Sequence, residues 1–170
     1  MILLDTNVVS EPLKLTGDVG VVNWIDAQII ETLYLSTISL AELRFGIAAL
    51  PLGKRRDTLH TSLEQRILPL FVGRILPFDT AASEAYAELR ARARAQGKAI
   101  APADGYIAAT AATHGLIVAT RDTGPFEAAG LASPNPAVAK LPSRVPFFTS
   151  QFFCHYLPSI LHAGWHPKQN

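Results

Sequence analysis

A single cysteine, Cys154, in a chain of 170 residues leaves no partner for an internal disulfide and no thiolate set for a zinc site. Charged residues are also scarce, at 17% against 49% hydrophobic. That balance excludes wholesale disorder and suits one domain with a sizeable core. No apolar run approaches the length that spans a bilayer, and the N-terminus opens on a strand-like segment instead of a basic leader. The expected setting is therefore cytoplasmic, without a membrane partner. Internal repeats and low-complexity tracts are absent as well.

Charge is nearly balanced at +1, and its distribution says more than its sum. Residues 133–170 hold Lys140, Arg144 and Lys168 with no acid, leaving 12 basic and 14 acidic residues, a balance of −2, in residues 1–132. A chain of this kind acting on nucleic acid has to bind through patches, and two are visible. Lys54, Arg55 and Arg56 follow Pro51 in an expected turn; Arg90, Arg92, Arg94 and Lys98 lie on an expected helix, where Arg90 and Arg94 share a face. Backbone contacts from such patches weaken steeply with salt, although each arginine alone also suits a solvated helix face.

What the chain does have is four acids, each where an apolar run meets a helix. Ile2-Leu3-Leu4 reads as a buried strand ending on Asp5, with Thr6 and Asn7 as cap formers behind it. Glu42 follows the strand-like Leu33-Tyr34-Leu35 and lies in an Ala- and Leu-rich segment, where Ser39-x-x-Glu42 reads as a capping box. Asp104 follows Pro102 at the start of an Ala-rich helix, and Asp122 follows the strand-like Leu116 to Thr120. Taken singly, each serves as a helix cap. Together they point to a pocket, because ligands in open α/β sheets collect at the carboxyl ends of the strands. Four carboxylates there repel one another unless a divalent cation screens them.

Other helices are expected over Val19 to Ile30, with Val22, Ile25 and Ile29 inward and Trp24 in the core, and over Thr58 to Phe71, with Leu59, Leu63, Ile67 and Leu70 on one face. Ile75 to Phe78 reads as a short strand before a helix capped by Asp79. Alternation of strand and helix implies a parallel sheet with helices on both faces.

The order and spacing of these motifs resemble the PIN-domain family, specifically the VapC/FitB-type toxins of bacterial toxin–antitoxin pairs. The residues that carry the resemblance are Ile2-Leu3-Leu4-Asp5-Thr6-Asn7-Val8-Val9-Ser10, Ser36 to Gly46 around Glu42, Leu76-Pro77-Phe78-Asp79, Ala101 to Ala109 around Asp104, and Ala119-Thr120-Arg121-Asp122. The resemblance implies a three-layer α/β/α fold with a central, mostly parallel sheet. It implies that Asp5, Glu42, Asp104 and Asp122 bind Mg²⁺ or Mn²⁺ and cut RNA, leaving a 5′-phosphate and a 3′-hydroxyl. Thr6, Asn7 and Arg121 become supporting residues, with Arg121 a candidate for the scissile phosphate. Arg90, Arg94, Lys98, Lys54 and Arg55 are the candidate nucleic-acid contacts. A homodimer silenced by a cognate antitoxin is the implied assembly, with further association into a hetero-oligomer and DNA contacted only through the antitoxin. One departure stands out: many members carry a second Asp between Asp122 and the Phe, whereas Gly124-Pro125-Phe126 stands here.

The resemblance covers residues 1–132 as the nuclease-like domain and leaves 133–170 as an unmatched extension. That extension is rich in proline and clusters Phe147, Phe148, Phe152, Phe153 and Tyr156, with His162 and His166 beyond them. Two other functions compete. The chain could be a non-catalytic toxin-like subunit whose acidic pocket anchors an antitoxin arginine in a DNA-bound regulatory complex. It could also be a phosphotransfer domain, but Thr6-Asn7-Val8 after Asp5 breaks the Asp-x-Asp-x-Thr nucleophile pattern.

Overall fold

A computed structural model describes residues 1–138. The readings made for the aromatic cluster at 147–156, for Cys154 and for His162 and His166 lie outside the described residues. Strand β1 (Ile2–Leu4) passes into α1 (Thr6–Val9), a 3₁₀ turn (Glu11–Leu13) and α2 (Val19–Asp26). Strand β2 (Leu33–Ser36) leads into α3 (Thr37–Ala48) and α4 (Lys54–Ser62). Strand β3 (Ile75–Leu76) precedes α5 (Thr80–Ala95) and α6 (Pro102–Thr113); β4 (Ile117–Ala119) and α7 (Gly124–Ala128) follow.

All four strands are parallel, in the order β3-β2-β1-β4. Successive side chains of a strand face opposite sides, and β1 shows the consequence. Leu4 enters one core with Val8, Val21, Trp24, Leu40, Leu43, Ile47, Leu63 and Phe71. Leu3 enters the other with Leu89, Ala93, Ile107, Val118 and Phe126. Helices α1 to α4 therefore cover one face and α5 to α7 the other, the three-layer arrangement expected. The backbone beyond α7 runs along β4: Val118 N donates to Ala132 O and Thr120 N to Pro134 O.

Several local expectations need correction. Ser36, not Ser39, caps α3: its Oγ accepts from Ser39 N at 2.9 Å, so Glu42 lies beyond the first turn and makes no capping box. Lys54 to Arg56 begin α4 and do not form a turn. Helix α2 stops at Asp26, leaving Ile29 exposed and Val22 half-buried, while Val21 turns inward. The segment expected to be one helix from Thr58 to Phe71 is three pieces: α4, a π turn at Leu63–Ile67 and a 3₁₀ turn at Leu68–Phe71. Pro69 explains the break, since it has no N–H to donate and its ring clashes with the preceding turn.

Just beyond the break, Arg74 collects carbonyls from the end of this segment and from the entry to β2. Its guanidinium donates to Leu33 O at 2.7 Å and to Ile30 O and Leu70 O, and stacks over Phe71. The side chain thereby ties the entry to β2 to the broken helix. Arg74→Met keeps the aliphatic stem but orphans those carbonyls. It should cost about 3 kcal/mol, seen as a lower urea midpoint with an unchanged m-value.

Candidate active site at the carboxyl edge of the sheet

From β1 the chain goes to β2 on one side, while β4 lies on the other, so the crevice beyond the carboxyl ends of β1 and β4 is the switch point of this sheet. Asp5 stands there, the first residue after β1 and only 4% exposed. Its backbone N–H continues the β1–β4 ladder to Ala119 O at 2.9 Å. Its Oδ1 accepts from Thr6 N at 2.7 Å, capping α1, and its Oδ2 accepts from Thr120 Oγ1 at 2.8 Å.

Thr120 is a fully buried hub that sequence reasoning missed. Its hydroxyl donates to Asp5 and accepts from Asn7 Nδ2 at 3.0 Å and Asp122 N at 3.1 Å. Asn7 also takes Arg121 N on its Oδ1 at 3.0 Å. Asn7 thus clamps the turn that leaves β4 and carries Asp122. The signal was faint: a hydroxyl at the end of a strand, two residues before an acid.

The other acids arrive from separate elements. Glu42 projects from α3 and accepts from Thr6 Oγ1 at 2.5 Å, joining α1 to α3. Asp104 is the third residue of α6 and half-buried. Asp122 is exposed and accepts from Gly124 N at 3.3 Å. Their fields overlap. Burial pushes the Asp5 carboxyl from 3.8 to about 6; the Thr120 and Thr6 hydrogen bonds pull it back, and the charges of Asp104 and Glu42 raise it further. Burial also raises Asp104, with Glu42 and Asp122 adding to the effect. Asp104 thus links the pairs: it and Glu42 act on Asp5, and Glu42 and Asp122 act on it. Among the described residues, no three acid, imidazole or thiol groups already converge as a metal cage.

Arg121 does not reach these acids. It donates to Glu11 Oε1 at 2.6 Å and lies 3.7 Å from Asp18. Glu11, also missed, is 2% exposed and takes Lys14 Nζ at 2.6 Å and Asp18 N at 2.8 Å as well. Burial opposes its charge, but the Lys14 and Asp18 hydrogen bonds and the Lys14 and Arg121 charges outweigh that, so its pKa falls below 4.5. This ion network pins the turn beside Asp122. The basic residues are divided between the layers: Lys54 and Arg55 lie on α4, Arg90 and Arg94 on α5. Lys98 stands beyond the end of α5 at Ala95, not on the helix as expected.

A PIN domain family model matches residues 2–131. The chain is 62% identical over 136 residues to VapC ribonuclease Y4jK of Sinorhizobium fredii, covering 80% of this chain and 97% of that protein. It is 59% identical over 136 residues to Toxin FitB of Neisseria gonorrhoeae, covering 80% and 98%. The solved structure of FitAB bound to an IR36 DNA fragment contains a chain of similar fold, with TM-score 0.80 and 55% identity over 82% of this chain and 98% of that one.

Two outcomes follow from the geometry. Folded Asp5 keeps its proton to about pH 6, whereas the unfolded chain releases it near 3.8. Stability of the metal-free protein should accordingly fall as pH rises through that window, by about 3 kcal/mol at most. Asp5→Asn removes this loss, so in EDTA its melting temperature should exceed that of the wild type at pH 8, with the gain gone at pH 4. Thr120→Val keeps the shape but deprives Asp5, Asn7 and Asp122 of their shared partner. It should destabilise the fold by about 2 kcal/mol, measured by urea unfolding.

Proposed function

The chain belongs to the PIN-domain family, in its VapC/FitB branch of toxins, and from that membership we propose that it is a metal-dependent endoribonuclease held silent by a cognate antitoxin. What supports this reading is the electrostatic coupling that links Asp5, Glu42, Asp104 and Asp122 at the carboxyl edge of the sheet, where burial first and acidic neighbours second disfavour Asp5 and Asp104 as anions. An all-oxygen donor set suits Mg²⁺ or Mn²⁺ over zinc. Mg²⁺ commonly keeps several waters and takes one or two protein carboxylates, so a preformed cage is not required. Asp5, Glu42, Asp104 and Asp122 would hold the ion. When bound, it would supply a more acidic water and polarise a phosphodiester.

The chain's own residues do the positioning. Thr120 and the Thr6 amide fix both Asp5 oxygens, and the Thr6 hydroxyl fixes one oxygen of Glu42. Asn7 and Glu11 hold the Arg121–Asp122 turn, Asn7 through the backbone and Glu11 through the Arg121 side chain. The FitAB–DNA complex among its structural relatives supports an antitoxin partner, with DNA reached through it. A homodimer is part of the same reading. Asn7 and Arg121 act as supports, and the role expected of Arg121 at the scissile phosphate gives way to one beside Glu11.

The test is cleavage of structured and single-stranded RNAs by the purified chain with Mg²⁺, Mn²⁺ or EDTA. Cutting should require metal and fall at least a hundredfold in Asp5→Asn and Asp104→Asn. A folded, metal-supplied chain that cuts none of them would favour a non-catalytic regulatory subunit.

A further inference from the structure

Helix α5 presents a cationic groove on the layer that carries Asp104. The groove is lined by Tyr86, Arg90, Arg94, Lys98 and Ile100, with alanines between them. Its cations recur every fourth residue, one helical turn or roughly 6 Å apart. Lys98 joins this row although it lies past the helix. Gly97, at φ 70°, ends α5 in a left-handed turn; Gly97 N donates to Arg94 O and Lys98 N to Ala93 O, which folds the chain back beside Arg94. Ile100 anchors the return by burying its side chain in the core.

Cations on a surface usually pair with carboxylates, and these do not. Among the described residues, neither Arg94 nor Lys98 has an ion-pair partner. Arg90 donates to Tyr86 Oη at 2.7 Å, with its guanidinium 5.4 Å from the centre of that ring. Tyr86 is itself packed against Tyr106, with ring centres 4.6 Å apart, and stands edge-on to Phe78. Close beside it is Gly105, where an added Cβ would come within 2.7 Å of the Tyr86 ring. Gly105 follows Asp104 directly, so contact runs unbroken from the acidic site through Tyr86 to Arg90. Arg90 is exposed and held by Tyr86, which makes it the member of the row that these contacts tie to the Asp104 end of α6.

Resting on the nuclease reading, we propose that this row is a phosphate track for one RNA strand as it leaves the acidic site, with Arg90, Arg94 and Lys98 each meeting successive backbone phosphates. An extended strand can follow cations spaced one helical turn apart. The row, on one helix edge, fits one strand. Acids repel a polyanion and need nearby cations to retain it; this groove lies on the layer that carries Asp104, whereas Lys54 and Arg55 lie on α4 in the opposite layer.

The test is binding of a fluorescein-labelled oligouridine to the full chain in EDTA, followed by anisotropy over a range of salt. In the triple variant Arg90→Gln, Arg94→Gln, Lys98→Gln, affinity should drop at least tenfold. The slope of log affinity against log salt should become shallower by about 2, since each phosphate contact on a single strand contributes about 0.7. Lys54→Gln with Arg55→Gln should leave both within error of the wild type. Unchanged affinity and slope in the triple variant would overturn the proposal. So would retained RNA affinity with lost antitoxin binding, which would make the groove a protein interface. Because cleavage is silent in EDTA, the two readings fail separately: a chain that binds through this groove but never cuts sinks the nuclease, and one that cuts equally well in the triple variant sinks the track.

Discussion

Placing an aspartate at the buried end of a central strand is the constraint around which this molecule is arranged. Asp5 comes there because β1 is short, apolar on both faces and flanked by β2 and β4, so the residue that follows it emerges in a crevice and not in open solvent. A lone carboxylate in that position is costly. The fold offsets part of the cost with one amide and one hydroxyl, and withholds the rest by setting Glu42 and Asp104 nearby. Burial and acidic neighbours thus oppose ionisation of Asp5, a cost that a bound cation would relieve.

Its supports come from distant parts of the chain. Thr120 reaches Asp5 and Asn7 across more than a hundred residues, and Arg121 reaches Glu11 over a similar separation. Two networks result: a neutral one that orients the acids, and an ionic one that pins the loop beside Asp122. Placing Arg121 in the second keeps its cation on Glu11 and away from the first.

Much of this was legible beforehand, and the failures have physical causes. The strands before Asp5 and Asp122 and the helix start at Asp104 were readable because each is a short apolar run followed by capping chemistry. The cap of α3 was misplaced because Ser36 and Ser39 are both good candidates, and only the helix start decides between them. The long helix expected to reach Phe71 failed at Pro69, where a missing donor outweighed a regular apolar spacing. Glu11 and Thr120 could not be singled out, since the reason they are buried lies with partners that no local pattern reveals. The two basic patches looked equivalent as sequence; only the sheet, with α4 on one face and α5 on the other, separates them.

The central claim is that the four acids form one divalent-cation site. It is met most directly by titrating the metal-free protein with Mn²⁺ and following free Mn²⁺ by electron paramagnetic resonance, in the wild type and in Asp5→Asn, Glu42→Gln, Asp104→Asn and Asp122→Asn. Saturable binding that is lost in Asp5→Asn and weakened in each of the other three would bear the claim out. Binding of equal strength in the wild type and Asp5→Asn, or none in the wild type, would contradict it.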